Sequence, residues 1–368
     1  FNMIKFLDLY KQDKKLHKSI LKDINILFKK GDFILGKEVV KFEDNFKIFC
    51  KSRYAISCGN GTDALTIALK SLSLPNKSEV IIPAMTYCST AFAVINAGLT
   101  PILVDTEFLK PTIDLINLKK KINRKTKVIL PVHLYGSVAN LNGIKKIIKN
   151  KGIYLVDDCA QAHGAYDDSS KSLNKKKIGS ATDISCFSLY PGKNLGAYGD
   201  GGIITTNNKK LYNKIKKIRN LGSDKKFIHD FVGMNSRLDT IQAIILNKKI
   251  KNLSNYNKNR QKIADFYNKN IINKKITKLI YSKTCVYHQY VILVKDKKKL
   301  IDEFNSKKIG FGFHYPYAIH QLDIFKKDFK NKKFVNAERL AKEGISIPID
   351  PNLSQKEQNI IVNTLNAL

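Results

Sequence analysis

Short apolar runs recur between residues 54 and 206, and they limit what this chain can fold into. Tyr54-Ala55-Ile56-Ser57, Glu79-Val80-Ile81-Ile82, Pro101 to Asp105, Lys127 to Val132, Ile153 to Val156, 183 to 187 and 201 to 206 each have the length of a strand. Helical spacing fills gaps between them, at Gly61 to Leu69, at 87 to 97 and around Ile144 to Ile148. Strands separated by helices argue for βαβ units, hence an α/β fold with a mainly parallel central sheet flanked by helices. In such sheets ligands gather at the carboxyl ends of the strands.

Ahead of this series, residues 12 to 30 and 38 to 49 have amphipathic helical spacing, separated by Phe33-Ile34-Leu35-Gly36. A polar stretch, 167 to 177, precedes the last two runs, and another spans Gly222 to His229. A long helical pattern then passes through Ile241, Ala243, Ile244, Ile245 and Leu246. The remainder mixes helices with strands such as Tyr287 to Val294. Two domains are expected: a large α/β unit over 1–249 and a smaller α+β unit over 250–368.

The formal charge of +34 raises the question of nucleic acid. Only six residues of this basic surplus are arginine, and lysines are spread through the helices and loops. Base-reading proteins lean on arginine forks, and single-strand binders interleave aromatics with basic residues. Neither pattern is present, so no nucleic-acid partner is expected, although a basic surface attracts anionic small molecules. The six cysteines show no metal-ligand spacing and the seven histidines no HxH or HExxH pattern, so no metal is expected. No apolar run spans a bilayer and no signal pattern opens the chain, which points to a cytoplasmic protein without a membrane partner. Phe1-Asn2 ahead of Met3 looks like a cloning remnant.

Four features carry chemistry. Lys193 sits in a glycine-rich loop, Ser188 to Gly202, flanked by apolar runs. A lysine desolvated in such a loop becomes a nucleophile. Gly59-Asn60-Gly61-Thr62-Asp63 opens a helix, with Asn60 and Thr62 as candidate caps, and free amides beside the Thr62 hydroxyl suit a phosphate. Asp157 and Asp158 stand at a strand end, where one can cap the next turn and the other can enter a cleft. Tyr87, an aromatic, follows another strand. A flat, phosphorylated pyridine aldehyde needs those parts, which points to pyridoxal 5′-phosphate, with an unspecified nucleotide as the alternative.

The ordered motifs resemble the DegT/DnrJ/EryC1/StrS sugar-nucleotide aminotransferases across almost the whole chain. They are Phe6-Leu7-Asp8-Leu9, Phe33-Ile34-Leu35-Gly36, Gly59 to Leu65, Pro131-Val132-His133-Leu134-Tyr135-Gly136, Asp157 to Gly164, the Lys193 loop and Gly233 to Asp239. The resemblance implies the fold type I architecture of aspartate aminotransferase. It implies that Lys193 bonds the cofactor and then carries a proton between the amino-acid Cα and the cofactor. Asp158 would partner the pyridine nitrogen, Gln161 the ring hydroxyl, and Tyr87 would stack on the ring. Gly61, Thr62 and Ser188 would hold the phosphate. Asn235 would reach it from the other subunit, making a homodimer with shared sites.

Relatives with histidine at the position of Lys193 remove a sugar hydroxyl, so lysine favours transamination. Thr182 and Leu189 stand where glycine and phenylalanine are usual, without touching an assigned role. Tyr317-Ala318-Ile319-His320 departs from the family's more usual proline-containing run, leaving the substrate open. Tyr190, His314, Tyr315 and His320 are the candidate substrate contacts. His163 either packs beside the cofactor or closes a turn, and Arg237 and Asp239 are expected to pair and cap at a helix start.

The expected reaction moves the amino group of L-glutamate, released as 2-oxoglutarate, to a dTDP-3-keto-6-deoxyhexose. The product would feed a surface glycan such as lipopolysaccharide. A 4-keto UDP- or dTDP-sugar, a sugar dehydrase and a non-catalytic regulator are the alternatives.

Overall fold

The computed structural model describes residues 3–169, 176–225 and 227–368. Phe1-Asn2 and part of the 167–177 stretch therefore lie outside the described residues. The sequence runs become β1 (Tyr54–Cys58), β2 (Glu79–Pro83), β3 (Thr100–Val104), β4 (Thr126–Ile129), β5 (Tyr154–Asp158), β6 (Ile184–Ser188) and β7 (Gly202–Thr206). They form one sheet in the order β1-β7-β6-β5-β4-β2-β3. Pairing is parallel from β6 to β3, and β7 runs antiparallel to both β1 and β6.

Alternation along the strands divides the interior. Val80 and Ile82 join one apolar cluster with Ile56, Val156 and Ile204, whereas Ile81 joins a second with Ala55, Leu155 and Ile203. Successive side chains point to opposite faces of a strand, so these runs are apolar throughout because both faces are covered. The chain opens with α1 (Leu9–Asp13) and α2 (His17–Lys30), and α3 (Lys37–Cys50), α4 (Gly61–Ser71) and α5 (Cys88–Asn96) are among the helices that supply side chains to these clusters. The helix expected over 12 to 30 is thus two. Asp13, at the end of α1, is buried and paired with Lys249 Nζ at 2.7 Å, which fixes the turn into α2.

A second, antiparallel sheet contains β8 (Ile276–Lys278), β9 (Tyr290–Val294) and β10 (Gly344–Ile347), in the order β10-β9-β8. Its core draws on residues 263 to 365 and on Ile4, which bridges to Ile309. That bridge brings the N-terminal segment, with Phe6 and Leu7, alongside the second sheet. β9 starts at Tyr290 rather than Tyr287, because Tyr287 has a positive φ of 44° and breaks the extended backbone.

Candidate active site

Topology puts the chemistry in one place. Because β7 reverses direction, the 189–201 connection leaves the carboxyl end of β6 and returns at the same edge, pairing Ser188 with Gly202. The carboxyl ends of β1, β2 and β5 lie at that edge too, followed by the starts of α4 and α5 and by Asp158. A cavity of about 810 Å³ opens there.

Lys193 lines this cavity from the hairpin loop. Leu189 N donates to Gly201 O and Ala197 N to Leu189 O, both at 2.7 Å, and Lys193 N donates to Tyr190 O at 2.9 Å. The loop folds so tightly that a Cβ on Gly196 would lie 2.2 Å from Pro191 O. Burial of the Lys193 amine pulls its pKa down to about 8, opposed by the charge of Asp158. The amine is therefore more readily deprotonated than that of an ordinary lysine.

The paired acids separate by strand alternation. Asp157 points away from the cavity, where His133 Nε2 meets its Oδ2 at 3.0 Å and Thr182 Oγ1 donates to its Oδ1 at 2.6 Å. Thr182 thereby secures the structural acid. Asp158 lines the cavity, accepting from Thr90 Oγ1 at 2.9 Å and from Ala160 N at 3.0 Å. Burial raises its pKa, against the lowering effects of those two bonds and of Lys193. Gln161 is held by Tyr135 N, which donates to its Oε1 at 2.5 Å, and its Nε2 donates to the Tyr315 hydroxyl at 3.0 Å.

At the other end lies the start of α4. Asn60 is its cap, accepting from Asp63 N at 2.8 Å, and Thr62 falls inside the first turn. Gly61 is required by contact: its Cβ would stand 2.7 Å from Ser188 Cβ. The first amides of a helix have no intrahelical acceptor, and here they sit beside the hydroxyls of Thr62, Ser89 and Ser188. Thr62 Oγ1 donates to Ser89 Oγ at 2.8 Å. Tyr87 lines the wall near Tyr315, with ring centroids 5.3 Å apart.

Tyr190, His314 and Tyr315 also line the cavity. His314 stacks on Phe6 at 5.8 Å, and burial, with the Lys193 charge, lowers its pKa to about 4. One expected substrate contact lies elsewhere. His320 is outside the lining: its Nε2 meets Glu338 Oε1 at 3.1 Å and its ring packs on Phe334. Asn235 is exposed and does not line its own chain's cavity. Its neighbour Ser236 binds the α4 start, donating to Asp63 Oδ2 at 2.6 Å and accepting from Gly59 N at 2.9 Å.

His163 packs on Phe187 outside the cavity lining, and burial lowers its pKa to about 3. Arg237 NH1 donates to Asn220 Oδ1 at 3.4 Å. Asp239 occupies the cap position before Thr240–Lys249 without a side-chain bond; Thr240 N donates instead to Phe33 O at 2.9 Å. Sequence reasoning missed Phe6, Leu7, Thr90 and His288 as lining residues. The hydroxyls Thr86, Ser89 and Thr90 around Tyr87 were a signal for the third.

The donor set fits pyridoxal 5′-phosphate. Hydroxyls and helix-start amides offer donors for a phosphate, a buried carboxylate suits a pyridinium, and a partly neutral lysine amine suits an aldehyde. Gln289, on the same cavity, keeps a buried Oε1 with no partner among the described residues, as expected where a ligand completes the wall.

Known proteins resemble this chain along nearly its whole length. A dTDP-3-amino-3,6-dideoxy-α-D-galactopyranose transaminase of Aneurinibacillus thermoaerophilus is 37% identical over 366 residues, covering 99% of each chain. A protein of Geobacillus stearothermophilus called a pleiotropic regulatory protein is 34% identical, covering 98% of this chain and 97% of its own. A UDP-N-acetyl-3-dehydro-α-D-glucosamine 3-aminotransferase of Acidithiobacillus ferrooxidans is 33% identical, covering 96% and 95%. The crystal structure of S. venezuelae DesV in complex with a ketimine intermediate superposes with a TM-score of 0.95 at 30% identity, covering 100% of this chain and 98% of that one. NtdA from Bacillus subtilis, solved with bound cofactor PMP, gives 0.92 at 26%, covering 99% and 85%. The architecture is that of the PLP-dependent sugar aminotransferases. The family model for DegT/DnrJ/EryC1/StrS aminotransferases matches residues 14–366, and the chain belongs to that family.

Proposed function

We propose that this aminotransferase moves the amino group of L-glutamate to C3 of a dTDP-3-keto-6-deoxyhexose. The carrying observation is that Lys193 on the β6–β7 loop, the buried Asp158 and the start of α4 line one cavity. The cofactor is pyridoxal 5′-phosphate, which when bound supplies a carbonyl for the incoming amine and a ring that accepts electron density from Cα. Thr62, Ser188 and the Gly61 amide would hold its phosphate, and Tyr87 would cover its ring. Asp158, steadied by Thr90 and Ala160, would hold a proton on the pyridine nitrogen. Gln161 would bind the ring hydroxyl. The neutral Lys193 amine would take the proton from Cα of the amino acid and deliver one to the amino carbon of the product.

The choice of a dTDP-linked 3-ketone is supported by the 37% identical transaminase of that name, and a UDP-linked 3-keto relative at 33% keeps the nucleotide open. A 4-keto sugar is the competing substrate. Tyr190, His314 and Tyr315 are the contacts proposed for the sugar. Asn235, exposed beside the α4 start, is proposed to complete the site of a second subunit. Incubation with glutamate and either 3-keto or 4-keto nucleotide sugars, followed by product NMR, tests the assignment. Nitrogen at C3 is expected, and nitrogen at C4 alone, or no amination of either ketone, refutes it.

A further inference from the structure

His288 lies outside every role described above, yet it lines the cavity close to Lys193. Its tautomer follows from its neighbours. Asn194, the residue after the lysine, donates through Nδ2 to Val286 O at 3.1 Å and to Asn257 Oδ1 at 2.9 Å. A backbone carbonyl can only accept, so the Asn194 amide cannot be turned the other way. Asn257 is fixed by the same logic, because its Nδ2 donates to His163 O at 2.8 Å. Asn194 Oδ1 is therefore an acceptor, and His288 Nδ1, 3.1 Å away, must carry the proton.

The ring is also neutral. Burial disfavours its charged form, and the positive charges of Lys193 and Arg260 act in the same direction. A neutral imidazole protonated at Nδ1 has a bare lone pair at Nε2. Among the described residues no hydrogen bond occupies that atom, and the side chain is part of the cavity wall.

We propose that His288 is a specificity-determining residue whose Nε2 accepts a hydrogen bond from a hydroxyl of the keto-sugar. This rests on the sugar aminotransferase reading of the cavity. A hydroxyl is favoured over the amino-acid donor on chemical grounds. The carboxylates of glutamate are acceptors and would face the lone pair unfavourably, and its one donor group, the amine, is consumed at the reacting carbon. A sugar brings several hydroxyls, and one that is desolvated without an acceptor loses binding. His288 thus acts in the sugar half of the reaction and not in the glutamate half.

Two substitutions separate the atoms of the ring. In His288→Asn the side-chain amide replaces Nδ1 and can still donate to Asn194, but nothing replaces Nε2. In His288→Gln the longer amide places its oxygen near the former Nε2. The Asn variant is expected to lose roughly tenfold or more in kcat/KM for the keto-sugar, mainly through KM. Its single-turnover rate with glutamate should be unchanged, and the Gln variant should recover part of the loss. Histidine-labelled 15N NMR of the wild-type protein supplies a readout independent of activity: one ring protonated at Nδ1 and bare at Nε2, insensitive to pH near neutrality. A proton on Nε2 of the His288 ring, identified as the signal missing from His288→Asn, or an equal loss in both half-reactions, or no loss in either, overturns the proposal. If wild-type protein aminates no keto-sugar, the functional reading fails instead, while the NMR result still tests the tautomer.

Discussion

Raising the pH from about 6 to about 11 should titrate Lys193 apart from the exposed lysines of the cofactor-free protein. Its pKa is drawn to about 8 from the ordinary 10.5. At pH 7 that leaves about 9% of the amine neutral, against about 0.03% for an ordinary lysine, a difference of roughly 300-fold in reactive form. Brief competitive acetylation at a series of pH values, with peptide mass spectrometry, reads each lysine separately. Reactivity at Lys193 is expected to rise with a midpoint near 8, while exposed lysines still climb above pH 10. The Asp158→Asn variant adds a sign test, since the carboxylate raises the Lys193 pKa and its removal should move the midpoint lower. A midpoint near 10.5, or an upward shift in the Asn variant, would refute the reasoning that burial outweighs the attraction of Asp158.

Other outcomes follow from contacts already described. Gly61→Ala should force α4 away from Ser188, costing about 1–3 kcal/mol in urea unfolding and weakening retention of pyridoxal phosphate during gel filtration. Mixing Lys193→Ala with Asn235→Ala protein, each impaired alone, should restore about a quarter of wild-type activity if sites are shared across a two-fold dimer; no recovery denies the sharing. Acid should weaken the fold through His163 and His314, whose folded pKa values of about 3 and about 4 lie below the ordinary 6.5. The unfolded chain then binds more protons than the folded one below pH 6.5, so the urea midpoint should fall as pH drops from 6.5 to 4 and hold steady above.

The strands of the large sheet were legible because both of their faces are covered, which turns each into an unbroken apolar run such as Val80-Ile81-Ile82. Lys193, Asp158 and the α4 start stood out in the sequence as a lysine in a glycine-rich loop, an acid at a strand end and a helix opened by glycines, and the fold brings all three to one cavity. The reversal of β7 was not, since Ile203 and Ile204 look the same in either direction. Nor was the wall formed by Phe6 and Leu7, which depends on a bridge between Ile4 and Ile309 across most of the chain. His320 and His314 are indistinguishable as letters, yet one meets Glu338 and the other the cavity. His288 gave no signal at all, because its significance lies in two asparagine amides that only the fold brings together.

The adjacent acids at the end of β5 have a consequence for how the chain finds its register. Asp157 and Asp158 differ by one position and face opposite ways, one toward His133 and Thr182, the other toward the cavity. A slip of β5 by a single residue would exchange faces along the whole strand. It would set Val156 opposite the hydroxyl and imidazole that now satisfy Asp157, and would turn Asp157 toward the cavity in place of Asp158. The polar end of the strand therefore rejects an error that the interchangeable apolar residues Leu155 and Val156 would tolerate. Asp157 acts as a proofreading group for the placement of its neighbour, which predicts that Asp157→Asn would impair assembly of the site more than its distance from the chemistry implies.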